Sequence, residues 1–314
     1  MLNRRLIRIK VFKVLYSSAN SSSATFAEAR KNLTLSCEKT LHLYYFMLNA
    51  AVALKEVANE KIENGLMKFN PTAEEKNPNR KFVENKFSAL LEGNEEFMKF
   101  CEDHALLWND DMYSLVRKLY TEISERDYFK AYMDSEERSL KEDCELFFNI
   151  YMEEFEDNED LASDLEDMSL FWMDDLGFVL NVILRNIDFL KSKGHFPKVN
   201  VFMKDDDEEF AYDLLKAAYT NYDKYMDMIY ENVSNWDSER IVSTDLTLIV
   251  QGIAEAIAFP NIPIKVTINE YVEISKYYST ENSNVFVNGL LDKIFQKLTA
   301  SGQIQKKGRG LIDK

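Results

Sequence analysis

The chain has 314 residues, enough for one large domain or two ordinary ones, and is 46% hydrophobic and 13% aromatic, ample for a sizeable core. Nine Gly and five Pro are too few for the tight turns of a sandwich or barrel, so long helices are expected. A formal charge of -16, with a pI near 4.8, argues on average against nucleic acid and for solubility or a basic partner.

That average hides an asymmetry. Residues 1–13 carry Arg4, Arg5, Arg8, Lys10 and Lys13 and no acid; the tail GQIQKKGRGLIDK is also basic, and the acids crowd the middle, as in YMEEFEDNEDLASDLEDM at 151–168. Residues 4–19 have helical spacing and stop before the Ser-rich ANSSSAT. The basic, Ser-rich start superficially resembles a targeting peptide, but Lys10 and Lys13 interrupt any secretory apolar run. A mitochondrial presequence would require the first helix to be cleaved off. Thr25 and Glu28 have capping-box spacing. Residues 36–67 read as one long helix, apolar almost all round and therefore buried. FNPTAEEKNPNRK (69–81) is a break. Helical patterns fill 82–195 up to a second break at KGHFPKVN, and 208–235 reads as one long amphipathic helix. Two further helices follow around the break PNIPIK, and the last pattern is SNVFVNGLLDKI (283–294). No apolar run approaches the roughly 18 residues of a membrane span.

Catalytic chemistry finds no support. There is no P-loop and no G-x-G-x-x-G; the three His are scattered, and nothing near Cys101 and His104 completes a zinc set. Cys37, Cys101 and Cys144 are odd in number and far apart, which fits a reducing compartment rather than disulfides. The acid run DDDEE at 205–209 precedes a helix, where negative charge suits the dipole. No cofactor or metal is expected.

Two features carry more information. On a helix, Arg4, Arg5 and Arg8 fall within an arc of about 100°, which continues into Val11, Phe12 and Leu15. Three Arg in the first turns oppose the dipole, at about 0.3–1 kcal/mol each. Either they await an anion or they answer acids elsewhere in the chain. Near the C-terminus, Val287, Leu290, Leu291, Ile294, Phe295 and Leu298 form a core stripe. Phe286 lies about 115° from its centre, beside Gly289 and Lys293, and Asn282 and Ser283 are positioned to cap. A ring, bare backbone and an ammonium side by side suit a stacked base and its phosphate; packing of Phe286 against another helix is the other reading.

The run IPIKVTINEYVEISKYYSTENSNVFVNGLLDKI (262–294) resembles the C-terminal signature of the NusB family of transcription antitermination factors. RRLIRIKVFKVLY (4–16) resembles the family's arginine-rich first helix, and WDSERIVSTDLTLIVQGIAEAI (236–257) its middle helices. The resemblance covers about 1–35 and 205–300. It implies an all-α fold, a helical bundle of two three-helix halves, here elaborated by a large acidic helical insertion. The expected division is 1–35 for the N-terminal arginine-rich helix, 36–204 for the insertion, and 205–314 for the C-terminal helices and basic tail.

The resemblance also implies a cytoplasmic, non-enzymatic protein that binds boxA-type RNA of ribosomal RNA transcripts together with the ribosomal protein NusE, within the transcription elongation complex. Matched residue by residue, Arg4, Arg5, Arg8, Tyr16, Asn282, Phe286 and Asn288 would bind RNA, with Gly289 and Lys293 beside them, and Asp245 would face NusE. Leu6 and Val285 depart from positions that are often basic in the family. The rival is a helical interaction scaffold that has lost RNA binding. A fused RNA methyltransferase would need an α/β cofactor domain, of which the sequence has no sign.

Overall fold

The computed structural model describes residues 1–21, 23–109, 112–233 and 242–311. The architecture is all-helical. Among the described residues there are fifteen α-helices, one short 3-10 turn (Gly308–Leu311) and no strand beyond a single bridge between Leu2 and Phe202. No helix among them is long and apolar enough to cross a membrane. The chain divides into two compact units: Met1 with Glu38–Val201, and Leu2–Cys37 with Phe202–Lys314.

Helix α1 (Arg4–Ala19) opens where Asn3 accepts a hydrogen bond from the Leu6 amide at 3.0 Å, satisfying one donor that the first turn leaves open. Helix α2 (Phe26–Leu66) runs for 41 residues. It begins about ten residues before its expected start, because the Thr25–Glu28 capping box forms: the Glu28 carboxylate accepts from the Thr25 amide at 2.8 Å, and the Glu28 amide donates to Thr25 Oγ1 at 3.3 Å. Between that box and Gly65 no Gly or Pro interrupts the hydrogen-bond ladder.

The first unit takes the later part of α2 and then α3 (Ala73–Lys76), α4 (Lys86–Glu92), α5 (Glu95–Asp103), α6 (Tyr113–Glu125), α7 (Asp127–Asp134), α8 (Leu140–Glu153), α9 (Glu159–Met168) and α10 (Leu176–Lys193). Helix α8 packs on α4, α7 and α10. Stacked rings fill the core: Phe46 on Trp108 with centroids 4.7 Å apart, and Phe87 on Phe147 at 4.4 Å. The Lys81 ammonium is buried, and three acceptors satisfy it: the carbonyls of Tyr132 (2.5 Å) and Ser135 (3.0 Å), and Glu142 (2.9 Å). The three cysteines are buried, and none forms a disulfide among the described residues.

The second unit holds α1, the start of α2, and then α11 (Asp207–Thr220), α12 (Tyr222–Asn232), α13 (Ser243–Ala258), α14 (Ile264–Tyr278) and α15 (Ser283–Ala300). The single helix expected over 208–235 is two. Asn221 ends α11, and its side-chain amide donates to the Ala217 carbonyl at 2.9 Å. Residues 234–241, which include the end of that expected helix and the first part of the 236–257 stretch, lie outside the described residues, as do 312–314 of the tail. Helix α13 is the axle of the unit, packed against α1, α11, α12, α14 and α15. Its Gly252 admits α15: a Cβ there would sit 3.0 Å from Leu291 Cδ2.

The basic tail folds back on the end of α13. Lys306 Nζ donates to the carbonyls of Ala256 (2.8 Å) and Phe259 (3.1 Å), a cation at a helix C-terminus. The Lys307 amide donates to the Pro260 carbonyl at 2.9 Å. A Cβ on Gly310 would lie 2.1 Å from that same carbonyl oxygen, so only glycine fits. Gly310→Ala is expected to lift the tail off, lowering stability by about 1–3 kcal/mol in chemical denaturation and speeding proteolysis after residue 302; an unchanged midpoint and cleavage rate would refute the docking.

Candidate nucleic-acid interface

Helix α1 lies against α11 and α13 within the second unit, which brings the three arginines beside acids distant in the sequence. Arg4 Nε donates to Asp207 at 3.0 Å and Arg4 Nη2 to Asp206 at 2.7 Å, so the DDDEE run serves Arg4 as well as the α11 dipole. Arg5 holds Glu270 in a two-point fork at 2.9 and 2.8 Å, with its own side chain half-exposed. Arg8 makes the same fork to Glu255, at 2.6 and 2.9 Å, and both partners are buried. Arg8 Nη1 also lies 3.7 Å from Glu270. Both guanidinium groups lie over the Phe210 ring, Arg4 at 4.7 Å and Arg8 at 5.2 Å from its centroid.

Around Glu255 every acceptor is used. Thr267 and Tyr271 hydroxyls donate to it at 2.9 and 3.1 Å, and Gln251 ties the Arg8 carbonyl at 3.0 Å. Burial would lower the basicity of Arg8, but Glu255 outweighs it and raises the guanidinium pKa. Burial would raise the Glu270 carboxyl, but the hydrogen bond from Arg5 and the field of Arg8 hold it below the usual carboxylate range. A depressed acid stabilises the fold above its unfolded pKa of about 4.3 and loses that contribution as pH falls through the lowered value.

The C-terminal half of the expected surface lies on the α14–α15 hairpin. Asn282, Asn288 and Gly289 are exposed. Asn282 precedes α15 without a side-chain cap bond; Ser283 does the local work instead, accepting from the Thr280 amide at 3.1 Å. Phe286 departs from its expected open flank. It is 9% exposed and belongs to the core cluster, because α15 is covered by α12, α13 and α14, a wider arc than a single stripe. Lys293 reaches sideways to the Asn232 carbonyl at the end of α12 at 2.8 Å. The exposed aromatic of the hairpin is Tyr277, 82% accessible. Its neighbour Tyr278 turns inward onto Phe12, with Lys13 over its ring at 5.4 Å. The adjacent pair in KYYS is a sequence signal: neighbours on a helix point about 100° apart, so one can turn inward while the other faces out.

Gly289 meets nothing within 4 Å of where a Cβ would stand. No approach of another helix therefore explains a glycine in mid-helix, which costs roughly 0.5–1 kcal/mol relative to alanine. Tyr16 joins this side of the unit through its hydroxyl, 3.3 Å from Ser243 Oγ. Asp245 is only 3% exposed, so its carboxylate is not presented at the surface. It accepts from Ser283 Oγ at 2.8 Å, its Oδ1 has no partner among the described residues, and burial raises its pKa against the opposing bonds from Ser279 and Ser283.

Residues 190–296 match the sequence model of the NusB family. Three similar proteins are each described as a transcription antitermination protein NusB. That of Chloroherpeton thalassium is 35% identical over 106 residues, 34% of this chain and 50% of its own length. That of Salinibacter ruber is 36% identical over 104 residues, 33% of this chain and 65% of its own. That of Syntrophotalea carbinolica is 40% identical over 86 residues, 27% and 55%. The chain thus spans about half to two thirds of the relatives it matches, and is longer than the NusB-family segment it carries. No solved structure matches it.

The geometry separates the three arginines energetically. Arg8→Ala strands a buried Glu255 carboxylate and is expected to lower unfolding free energy by about 3–5 kcal/mol. Arg5→Ala, at an exposed pair, is expected to cost at most about 1 kcal/mol. Urea denaturation of both variants checks this; equal midpoints would contradict the buried role.

Proposed function

We propose that this protein is an RNA-binding transcription antitermination factor, acting without catalysis on boxA-type RNA of ribosomal RNA transcripts, together with the ribosomal protein NusE in the cytoplasmic elongation complex. The observation that carries this reading is the match of residues 190–296 to the NusB family, whose relatives are described as transcription antitermination proteins. In it, Arg4, Arg5 and Tyr16 meet the RNA from α1, and Asn282, Asn288 and Gly289 meet it from α15. The open backbone at Gly289 supports this, since a phosphate or ribose can approach where no protein atom does. Tyr277, rather than the buried Phe286, supplies the exposed ring for stacking. Arg8 and Phe286 act from beneath, holding α1 and α15 in place, and Lys293 ties α15 to the end of α12. Asp245 orders the loop before α15 through Ser283 and so shapes the face offered to NusE.

Phosphates must compete with Asp206, Asp207 and Glu270 for Arg4 and Arg5. RNA affinity of the isolated protein is therefore weak and steeply salt-dependent, and NusE raises it. The same pairing favours a second reading, an interaction scaffold that has lost RNA binding, since every family arginine already has an acid.

A gel shift with boxA-type RNA, with and without NusE, decides between them. Weak retention alone, a gain with NusE, and at least fivefold loss in Arg5→Ala and Gly289→Ala are expected. Gly289→Ala should at the same time gain about 0.5–1 kcal/mol of stability, so its loss of binding cannot be blamed on unfolding. Equal RNA affinity with and without NusE, or RNA retention unaltered by either substitution, would sink the antitermination reading.

A further inference from the structure

The first unit carries a feature that RNA binding does not use. Residues 38–201 hold 35 of the 54 acidic side chains but only 19 of the 38 Lys and Arg, so the whole formal charge of -16 belongs to that segment. The rest of the chain is balanced. The imbalance is steepest from Glu142 to Leu184, which holds fourteen Asp and Glu and no Lys or Arg.

Within that stretch, the turn between α9 and α10 exposes large apolar side chains. Met168 is 42% accessible, Leu170 72% and Met173 53%. Scattered single apolar residues on a surface need no explanation; three within six residues do. The turn is held rigidly. Trp172, between two of them, is buried: its indole Nε1 donates to the Lys39 carbonyl at 2.8 Å and its ring lies 5.5 Å from Phe46. The Trp172 amide donates to the Ser169 carbonyl at 2.9 Å, and Asp175 at the turn's end accepts from Thr40 Oγ1 at 2.5 Å. With Trp172 pinned inward, Leu170 and Met173 are left outward.

Acids flank this knob on both sides: Glu166 and Asp167 before it, Asp174 after it, all exposed. Burial, together with Asp160 and Asp167, pushes the nearby Asp164 carboxyl above its ordinary value, even though Lys118 pairs with Asp160. The local field is negative and only partly compensated.

We propose that the α9–α10 turn is a docking site for a basic, apolar-faced segment of a partner protein, with Met168, Leu170 and Met173 as anchors and Glu166 and Asp167 as counter-charges. Two properties commit the surface to that occupant. The negative rim repels polyanions and attracts Lys and Arg, giving long-range steering. Methionine is unbranched and polarisable, so it accommodates differing apolar partners. Because Trp172 fixes the turn beforehand, little ordering entropy is lost on binding.

The test uses the full chain and a synthetic amphipathic Lys/Leu helix as probe, read by fluorescence anisotropy and by methionine-methyl NMR. Two control peptides replace Leu by Ser, or Lys by Glu. The Lys/Leu peptide is expected to bind, to weaken at least tenfold between 50 and 500 mM salt, and to shift the Met168 and Met173 methyl signals. Each control peptide and each variant, Leu170→Ser with Met173→Ser and Glu166→Gln with Asp167→Asn, is expected to lose at least fivefold. Unchanged thermal melts keep loss of fold out of the result. Equal binding of the Leu-to-Ser peptide, or unchanged affinity in the Leu170→Ser/Met173→Ser variant, would overturn the proposal. So would a concentration-dependent dimer that this variant abolishes, which would make a second copy the occupant, or adsorption to zwitterionic vesicles through the same residues.

Discussion

The second unit depends on one buried ion pair. Arg8 and Glu255 take two charges out of water, which is tolerable only when every lone pair and proton finds a partner. Thr267 and Tyr271 donate to the carboxylate, Gln251 holds the Arg8 backbone carbonyl, and together they tie α1, α13 and α14 into a single polar knot. The knot fixes the rotation of α1 about its axis. Once Arg8 points inward, Arg4 and Arg5 have no choice but to fall on its margins, against α11 on one side and α14 on the other. A basic helix face that looked uniform on a wheel is thereby sorted into one structural arginine and two boundary ones.

That sorting shows what the sequence discloses and what it withholds. Local rules placed α1 at 4–19 and put the capping box at Thr25, because caps and breaks are matters of a few neighbouring residues. The resemblance of 262–294 found the hairpin. What the sequence could not disclose was which acid each arginine meets, since Arg8 and Glu255 stand 247 positions apart. The same limit hid the burial of Phe286. A wheel assumes one covered face, but α15 has three neighbours, and the width of the covered arc is a tertiary fact. Lys293 does face outward, but the wheel does not show that its ammonium reaches the end of α12. Gly289 went the other way: its open surroundings are visible only in three dimensions, yet its cost to the helix was legible from the start.

The two units also divide the chain's physical chemistry. One is electrically balanced and carries most of the segment that matches the family model, with arginines already held by carboxylates. The other is strongly acidic, rich in stacked rings and anchored by buried polar groups such as Lys81. A long helix, α2, supplies residues to both.

The discontinuity of the second unit has a kinetic meaning. Its first helix is synthesised early, but the glutamate that neutralises Arg8 follows 247 residues later. At synthesis rates of about 5–20 residues per second, that delay is on the order of tens of seconds. During it the apolar face of α1, with Val11, Phe12 and Leu15, has no native cover from α13, while every residue of the acidic unit has already been made. All residues of the acidic unit are thus available to fold before α1 can find its partners on α13.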